Sequence, residues 1–269
     1  MLLIIFSMSP IKAIFFDIDG TLVSFNTHKV PQPTINALAA LRREGIKIFV
    51  ATGRMLSMVD VLDGITFDGY ISYNGAYCVD GQLNELYANP FSKQDLEALL
   101  KYLEKDPFPV SFMGRHEMTV NLLSDRVKSV ASHIDVPPPR VEDPWVTIQN
   151  NIFQFCIYVD EDKERWLMQN VLLNHESNRW TPLFADVNVK GNTKQSGIDQ
   201  ILNHYNINLS QTMAFGDGGN DIPMLKHAAI GVAMGNAGDA VKQAANYITD
   251  TVDNDGICKA LAHFGLHTK

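Results

Sequence analysis

The stretch IKAIFFDIDGTLV, residues 11–23, runs a short apolar segment directly into two aspartates, Asp17 and Asp19, separated by one residue. A run of this length and character reads as a strand buried on both faces, as in a parallel sheet. Function in such a sheet sits at the carboxyl ends of the strands. Leaving a strand, a two-residue step points both carboxylates to the same side, where they repel each other unless a cation lies beside them. Asp and Gly are also turn formers, so the stretch alone leaves a turn and an active site as equal readings.

Working outward, residues 34–44 place Ile35, Leu38, Ala39 and Leu41 at helical spacing, with Pro33 before them and Gly45 after; these are start and stop signals of a helix. A second apolar run, 46–51, ends at Thr52, and a third, 70–73, ends at Asn74 and Gly75. Strand, helix, strand is the grammar of an open α/β sheet. After about Gly81 the alternation stops. Helices are expected at 92–104, 123–133 and 161–173, two short strands around Gly114 and one at 153–159, punctuated by PFPV (107–110) and PPPR (137–140). It returns after Lys190 with a helix at 194–205, a strand at 212–215 leading into GDGGND, a helix from Asp221 and a strand at 230–234. The expected fold is therefore α/β: a Rossmann-like open parallel-sheet core, residues 1–81 and 188–269, carrying an inserted α+β cap domain at 82–187.

Of the 269 residues 46% are hydrophobic and 19% charged, the balance of a soluble globular protein. A net charge of −8 argues against a nucleic-acid or anionic-membrane partner, which needs a basic surface. Cys78, Cys156 and Cys258 are odd in number and widely spaced, which disfavours a disulfide framework or a thiolate zinc site. The opening MLLIIFSM lacks a basic flank and is far shorter than the roughly 20 residues that span a bilayer. The cytoplasm is the expected location, and Met8 is an alternative start to Met1.

Three further strand ends carry suggestive chemistry. ATGR, residues 51–54, offers the Thr52 hydroxyl, backbone amides that include Gly53, and Arg54, a set able to cradle phosphate oxygens; the bland reading is a Thr-Gly turn. KGNTKQSG, 190–197, puts Lys194 at a helix start, where amides and an ammonium hold anions together; the bland reading is a solvated lysine. GDGGND, 216–221, supplies Asp217 and Asp221 as hard oxygen donors suited to Mg²⁺, or merely a Gly-rich turn with a helix cap. Four such segments in this order are hard to explain as turns alone.

DxDGT, TGR, the lysine of KGxxK and GDGxND, in that order, resemble the four motifs of the haloacid dehalogenase superfamily, and the central insert resembles its Cof-type branch of sugar-phosphate phosphatases. ISYNGAY, 71–77, is similar to that branch's Asn-Gly-Ala segment. The resemblance implies a phosphoric monoester hydrolase in which Asp17 attacks phosphorus to form an aspartyl-phosphate and Asp19 serves as general acid and base. It further implies Mg²⁺ held by Asp17, the Asp19 carbonyl and Asp217, with Asp221 and Asn220 nearby. Thr52, Gly53 and Lys194 would bind phosphoryl oxygens, and Arg54, Asn74 and Asn220 are candidates for substrate contact. Asp rather than Thr at position 19 favours phosphatases and phosphomutases over ATP-driven transporters.

The insert is expected to act as a lid over the leaving group, or else as a structural or oligomerising module. Arg115 and His116 in a turn, and Arg179 with Trp180, are equally readable as sugar contacts or as ordinary surface and packing residues. The expected partner is a small phosphate ester. A phosphosugar mutase and a non-catalytic phosphate-binding module are the alternatives, and no feature of the sequence indicates an oligomeric state.

Overall fold

The computed structural model describes residues 10–62, 64–133 and 136–266; the choice between Met1 and Met8 lies outside them. The chain opens with β1 (Ala13–Phe16), α1 (Gln32–Arg43), β2 (Lys47–Ala51), β3 (Gly69–Ser72), β4 (Tyr77–Asp80) and β5 (Glu85–Ala88). It continues with α2 (Lys93–Leu103), β6 (Val110–Met113), β7 (Met118–Val120), α3 (Asp125–His133), β8 (Arg140–Val141) and α4 (Pro144–Thr147). β9 (Gln154–Ile157), α5 (Glu161–Asn170), β10 (His175–Thr181) and β11 (Phe184–Val189) follow. It closes with α6 (Lys194–Tyr205), β12 (Thr212–Gly216), α7 (Ile222–His227), β13 (Ile230–Ala233), α8 (Asp239–Ala244), β14 (Tyr247–Ile248) and α9 (Gly256–His263). Two compact units result, one holding the described residues up to Arg54, Met58–Tyr87 and the chain from Thr193, the other Met55–Ser57 and Ala88–Asn192.

In the first unit the sheet order among the described residues is β14-β13-β12-β1-β2-β3-β4-β5. The pairings from β14 through β3 are parallel and β3 pairs antiparallel with β4. Alternate residues of each strand enter different cores, as the two-residue period requires. Ile14, Phe16, Ile48 and Val50 pack with Leu38 and Leu41 of α1 and Ile257 and Leu261 of α9. Ala13, Phe15, Phe49 and Ala51 pack with Ile198 and Ile201 of α6 and with Leu225 of α7. This burial on both faces explains why the strands read as continuous apolar runs. The register also sets the site: Phe16 lies opposite Val50 on one side and Phe215 on the other. Asp17, the Ala51–Thr52 step and the Gly216–Asp217 step therefore emerge at one edge of the sheet.

In the second unit the sheet order is β10-β11-β9-β6-β7-β8. Val110, Phe112, Phe155, Ile157, Ala185 and Val187 join Leu99 and Leu100 of α2 and Leu167 of α5 in one core. The intervening residues, among them Ser111, Gln154, Cys156, Asp186 and Asn188, make the other face polar. The three cysteines are free thiols. Among the described residues no helix is long and apolar enough to cross a membrane.

Candidate active site

Asp17 directly follows β1, with its backbone amide bonded to the Phe215 carbonyl at 3.0 Å. Its side chain meets Lys194, the first residue of α6. The Lys194 ammonium is fully buried and donates to Asp17 Oδ1 and to Asp221 Oδ1, each at 2.5 Å. The solvated-lysine reading is thereby overturned.

Close backbone approach delivers that lysine. Gly75 adopts φ +103°, and a Cβ there would lie 2.1 Å from the Thr193 carbonyl oxygen; a Cβ on Gly197 would lie 2.4 Å from Ile71 Cγ2. Two glycines thus let the start of α6 pack onto the 3₁₀ turn Tyr73–Gly75. Thr193 and Ser196 form a reciprocal cap that fixes the helix start.

Asp221 is fully buried and its Oδ2 accepts the amides of Asp217 and Gly218 at 2.9 and 2.8 Å. Asp217 accepts the Thr21 hydroxyl at Oδ1, 3.0 Å, and the Asn236 amide at Oδ2, 3.1 Å. Oxygens of Asp17, Asp217 and Asp221 lie within 4.8 Å of one another. Burial, and then the charge of Asp221, push the Asp17 carboxyl well above the ordinary range and the Asp217 carboxyl up to about 6. Burial opposes the Lys194 ammonium, yet Asp17 and Asp221 outweigh it and hold the proton on. One ammonium among three carboxylates leaves surplus negative charge in a desolvated place. That charge and a donor set made entirely of hard oxygens fit a small divalent cation.

Around this cluster stand the other candidates. Thr52 is buried, and its hydroxyl accepts the Arg54 amide at 3.0 Å across Gly53. Arg54 grips the Asp19 carboxylate with two bonds. Asn74, at φ +53°, bonds its amide to the Thr52 carbonyl and accepts the Asn220 side chain at 2.9 Å. Gly20, at φ +82°, admits Asp217, whose Oδ2 a Cβ there would meet at 2.2 Å. The sequence assigned no role to Thr21 or to Asn236. The signal for Asn236 was its place just beyond β13, another strand end of the same sheet.

In the second unit, Arg115 and His116 lie in the β6–β7 turn and line a cavity with Glu117, Thr119, Glu142 and Thr147. Arg179 is bonded to Glu164 at 2.6 Å and to the Val159 carbonyl at 3.0 Å. The Trp180 side chain lies outside the described residues. Gln154 Oε1 and Asn188 Oδ1 on the polar face are buried with no hydrogen-bond partner among the described residues, and nothing in the sequence pointed to them.

An open parallel sheet whose strand ends gather three carboxylates around a buried lysine defines an α/β protein with a charged site at the carboxyl ends of its strands. The sequence matches the haloacid dehalogenase-like hydrolases over residues 14–261, and the chain belongs to that family. It is similar to YkrA of Bacillus subtilis (strain 168), 32% identical over 258 residues that cover 95% of this chain and 98% of the relative. Among solved structures it resembles BT1666, from Bacteroides thetaiotaomicron, described among phosphatases of the HAD superfamily: 41% identity, 96% of both chains, TM-score 0.89. It also resembles BT4131, described as a HAD subclass IIB sugar phosphatase: 42% identity, 95% of this chain and 100% of that one, TM-score 0.84. The protein is thus an enzyme of the phosphatase kind within this family.

Proposed function

We propose that the protein hydrolyses small phosphate monoesters, sugar phosphates foremost, with Mg²⁺ and through a phosphoryl group carried on Asp17. The observation that carries this reading is Lys194 bridging Asp17 and Asp221 with Asp217 alongside. A lone buried carboxylate would be a poor nucleophile toward an anion, whereas here an ammonium is fixed beside it. Asp17, Asp217, Asp221 and the Asp19 carbonyl would hold Mg²⁺, whose charge offsets the repulsion between the Asp17 carboxylate and the phosphate.

In the first step an Asp17 oxygen bonds to phosphorus as the ester oxygen leaves, and the Asp19 carboxyl gives that oxygen its proton. In the second, Asp19 takes a proton from water, the water oxygen bonds to phosphorus and the bond to Asp17 breaks. Phosphate leaves and both aspartates are restored. Lys194, Thr52 and the Gly53 amide bind the oxygens of the transferring group, where fixed donors favour the transition state. Asn74 and Asn220, held to each other, would contact the substrate beside them.

Sugar phosphates are put first among the candidate esters. Kinship with a sugar phosphatase supports this choice. A phosphate-release assay across hexose, pentose and nucleotide monophosphates with Mg²⁺ tests it; release from none of them would sink the reading. Asp17→Asn should abolish turnover while the fold persists.

A further inference from the structure

Asn236 stands in the Met234–Ala237 turn that follows β13, and it makes three hydrogen bonds to three separate segments. Its Nδ2 donates to the Gly20 carbonyl at 2.9 Å and to Asp217 Oδ2 at 3.1 Å, while its Oδ1 accepts the Val252 amide at 3.1 Å. These partners settle the orientation of the side-chain amide. A backbone N–H must meet the oxygen, and a carbonyl and a carboxylate must meet the nitrogen, so the flipped amide would satisfy none of them.

The turn itself is anchored: the Met234 amide bonds to the Gly216 carbonyl and the Gly235 amide to the Asp250 carbonyl, both at 3.0 Å. On the far side, Asp253, next to Val252, accepts the Ser24 hydroxyl and the Asn26 amide, which fixes the loop that leaves Gly20. Asn236 therefore closes a ring that runs from Gly20 through Ser24 and the 252–253 segment back to Gly20. Asp217 is clamped across that ring, with Thr21 at one oxygen and Asn236 at the other.

From this we infer that Asn236 is a positioning residue for the cation site: it locks Asp217 to the Gly20–Thr21 segment and so sets the spacing between Asp217 and Asp17. The inference rests on the metal-assisted reading above. Carboxylate ligands held by an outer ring of hydrogen bonds bind metal more tightly than free ones, and loss of such a partner typically weakens affinity about 10–100-fold. Asn236 is exposed, so shortening it opens no cavity in the core.

The test is Mg²⁺ affinity of the full chain, read by calorimetry and by the Mg²⁺-dependent rise in melting temperature, with melting in EDTA as the control. Asn236→Ala should raise the Mg²⁺ Kd by about tenfold or more, leave the EDTA melting temperature within a few degrees of the parent, and recover most of kcat at saturating Mg²⁺. Asn236→Ser, which also cannot span to Asp217, should behave alike and serves if the alanine variant fails to fold. A parent protein that binds Mg²⁺ together with a variant of unchanged Kd overturns the role of Asn236 alone. A parent that binds no Mg²⁺ overturns the metal reading and this inference with it.

Discussion

Arg54 and Asp19 meet through a two-pronged ion pair, Nε to Oδ2 at 2.8 Å and Nη2 to Oδ1 at 2.6 Å, while Arg54 Nη1 donates to the Met58 carbonyl at 3.0 Å. A fork of this kind fixes direction as well as distance. Asp19 is otherwise well exposed, its side chain retaining 41% of its accessibility, so Arg54 decides where this carboxylate rests. In the proposed mechanism Asp19 must exchange protons with the ester oxygen and with water. Arg54→Ala should then lower kcat/KM by about 10- to 100-fold through misplacement of the acid–base group. Arg54→Lys should recover only part of the loss, because an ammonium cannot make the fork. Steady-state phosphate release measures both, and an alanine variant as fast as the parent would remove Arg54 from this role.

Gly75→Ala addresses the delivery of Lys194. The new methyl would collide with the Thr193 carbonyl at a φ of +103°, so the helix start must retreat and carry Lys194 away from Asp17. Strain of this kind costs on the order of 1–3 kcal/mol, visible as a lower melting temperature, and turnover should fall with it. A variant that melts and turns over like the parent would show that the α6 contact does not position the lysine.

The legible parts of the molecule were those where local pattern and tertiary role coincide. β1, β2 and β12 are buried on both faces, so they read as apolar runs, and their terminal residues Asp17, Thr52 and Asp217 could be placed at one sheet edge from the sequence. Lys194 was expected at a helix start, and the structure shows that start capped by Thr193 and Ser196. β10, with sequence HESNRWT, was not foreseen as a strand: it is an edge strand without an alternating apolar pattern, and its pairing with β11 compensates. β4 and β5 were missed because β4 follows the 3₁₀ turn directly, β5 follows β4, and both extend the sheet without a helix between. Thr21 and Asn236 were missed for a different reason. Their importance lies in contacts to Asp217 from positions 196 and 19 residues away, and no local period records such a meeting.

His175 gives the second unit a pH dependence. It is buried, stacks on Phe91 with ring centroids 4.8 Å apart, and leaves Nδ1 without a hydrogen-bond partner. Burial holds its pKa below the ordinary 6.5, and Asp95, 3.5 Å away, only partly opposes this. The unfolded chain therefore binds a proton at a pH where the folded chain does not. Stability rises with pH through that window and is lost as pH falls below about 6.5. His175→Phe keeps the stacking and removes the titration, so its melting temperature should change less between pH 7 and 5 than that of the parent. Parallel profiles would show that another group carries the acid sensitivity.

Gln154 and Asn188 invite a test of what a buried polar sheet face costs. Each buries a carbonyl oxygen with no hydrogen-bond partner, an arrangement that costs roughly 1–3 kcal/mol per group. A Leu at either position removes that cost, so Gln154→Leu and Asn188→Leu should melt higher than the parent. Both oxygens are shielded from solvent, so the same changes should leave KM for sugar phosphates unaltered. An aryl phosphate such as p-nitrophenyl phosphate, which has no hydroxyls to donate, should keep its kcat and KM. Higher stability with unaltered KM on every substrate would make the polar face of the second unit a structural feature only. Losses on sugar and aryl substrates alike would instead mean that the substitutions disturb the chemistry common to both.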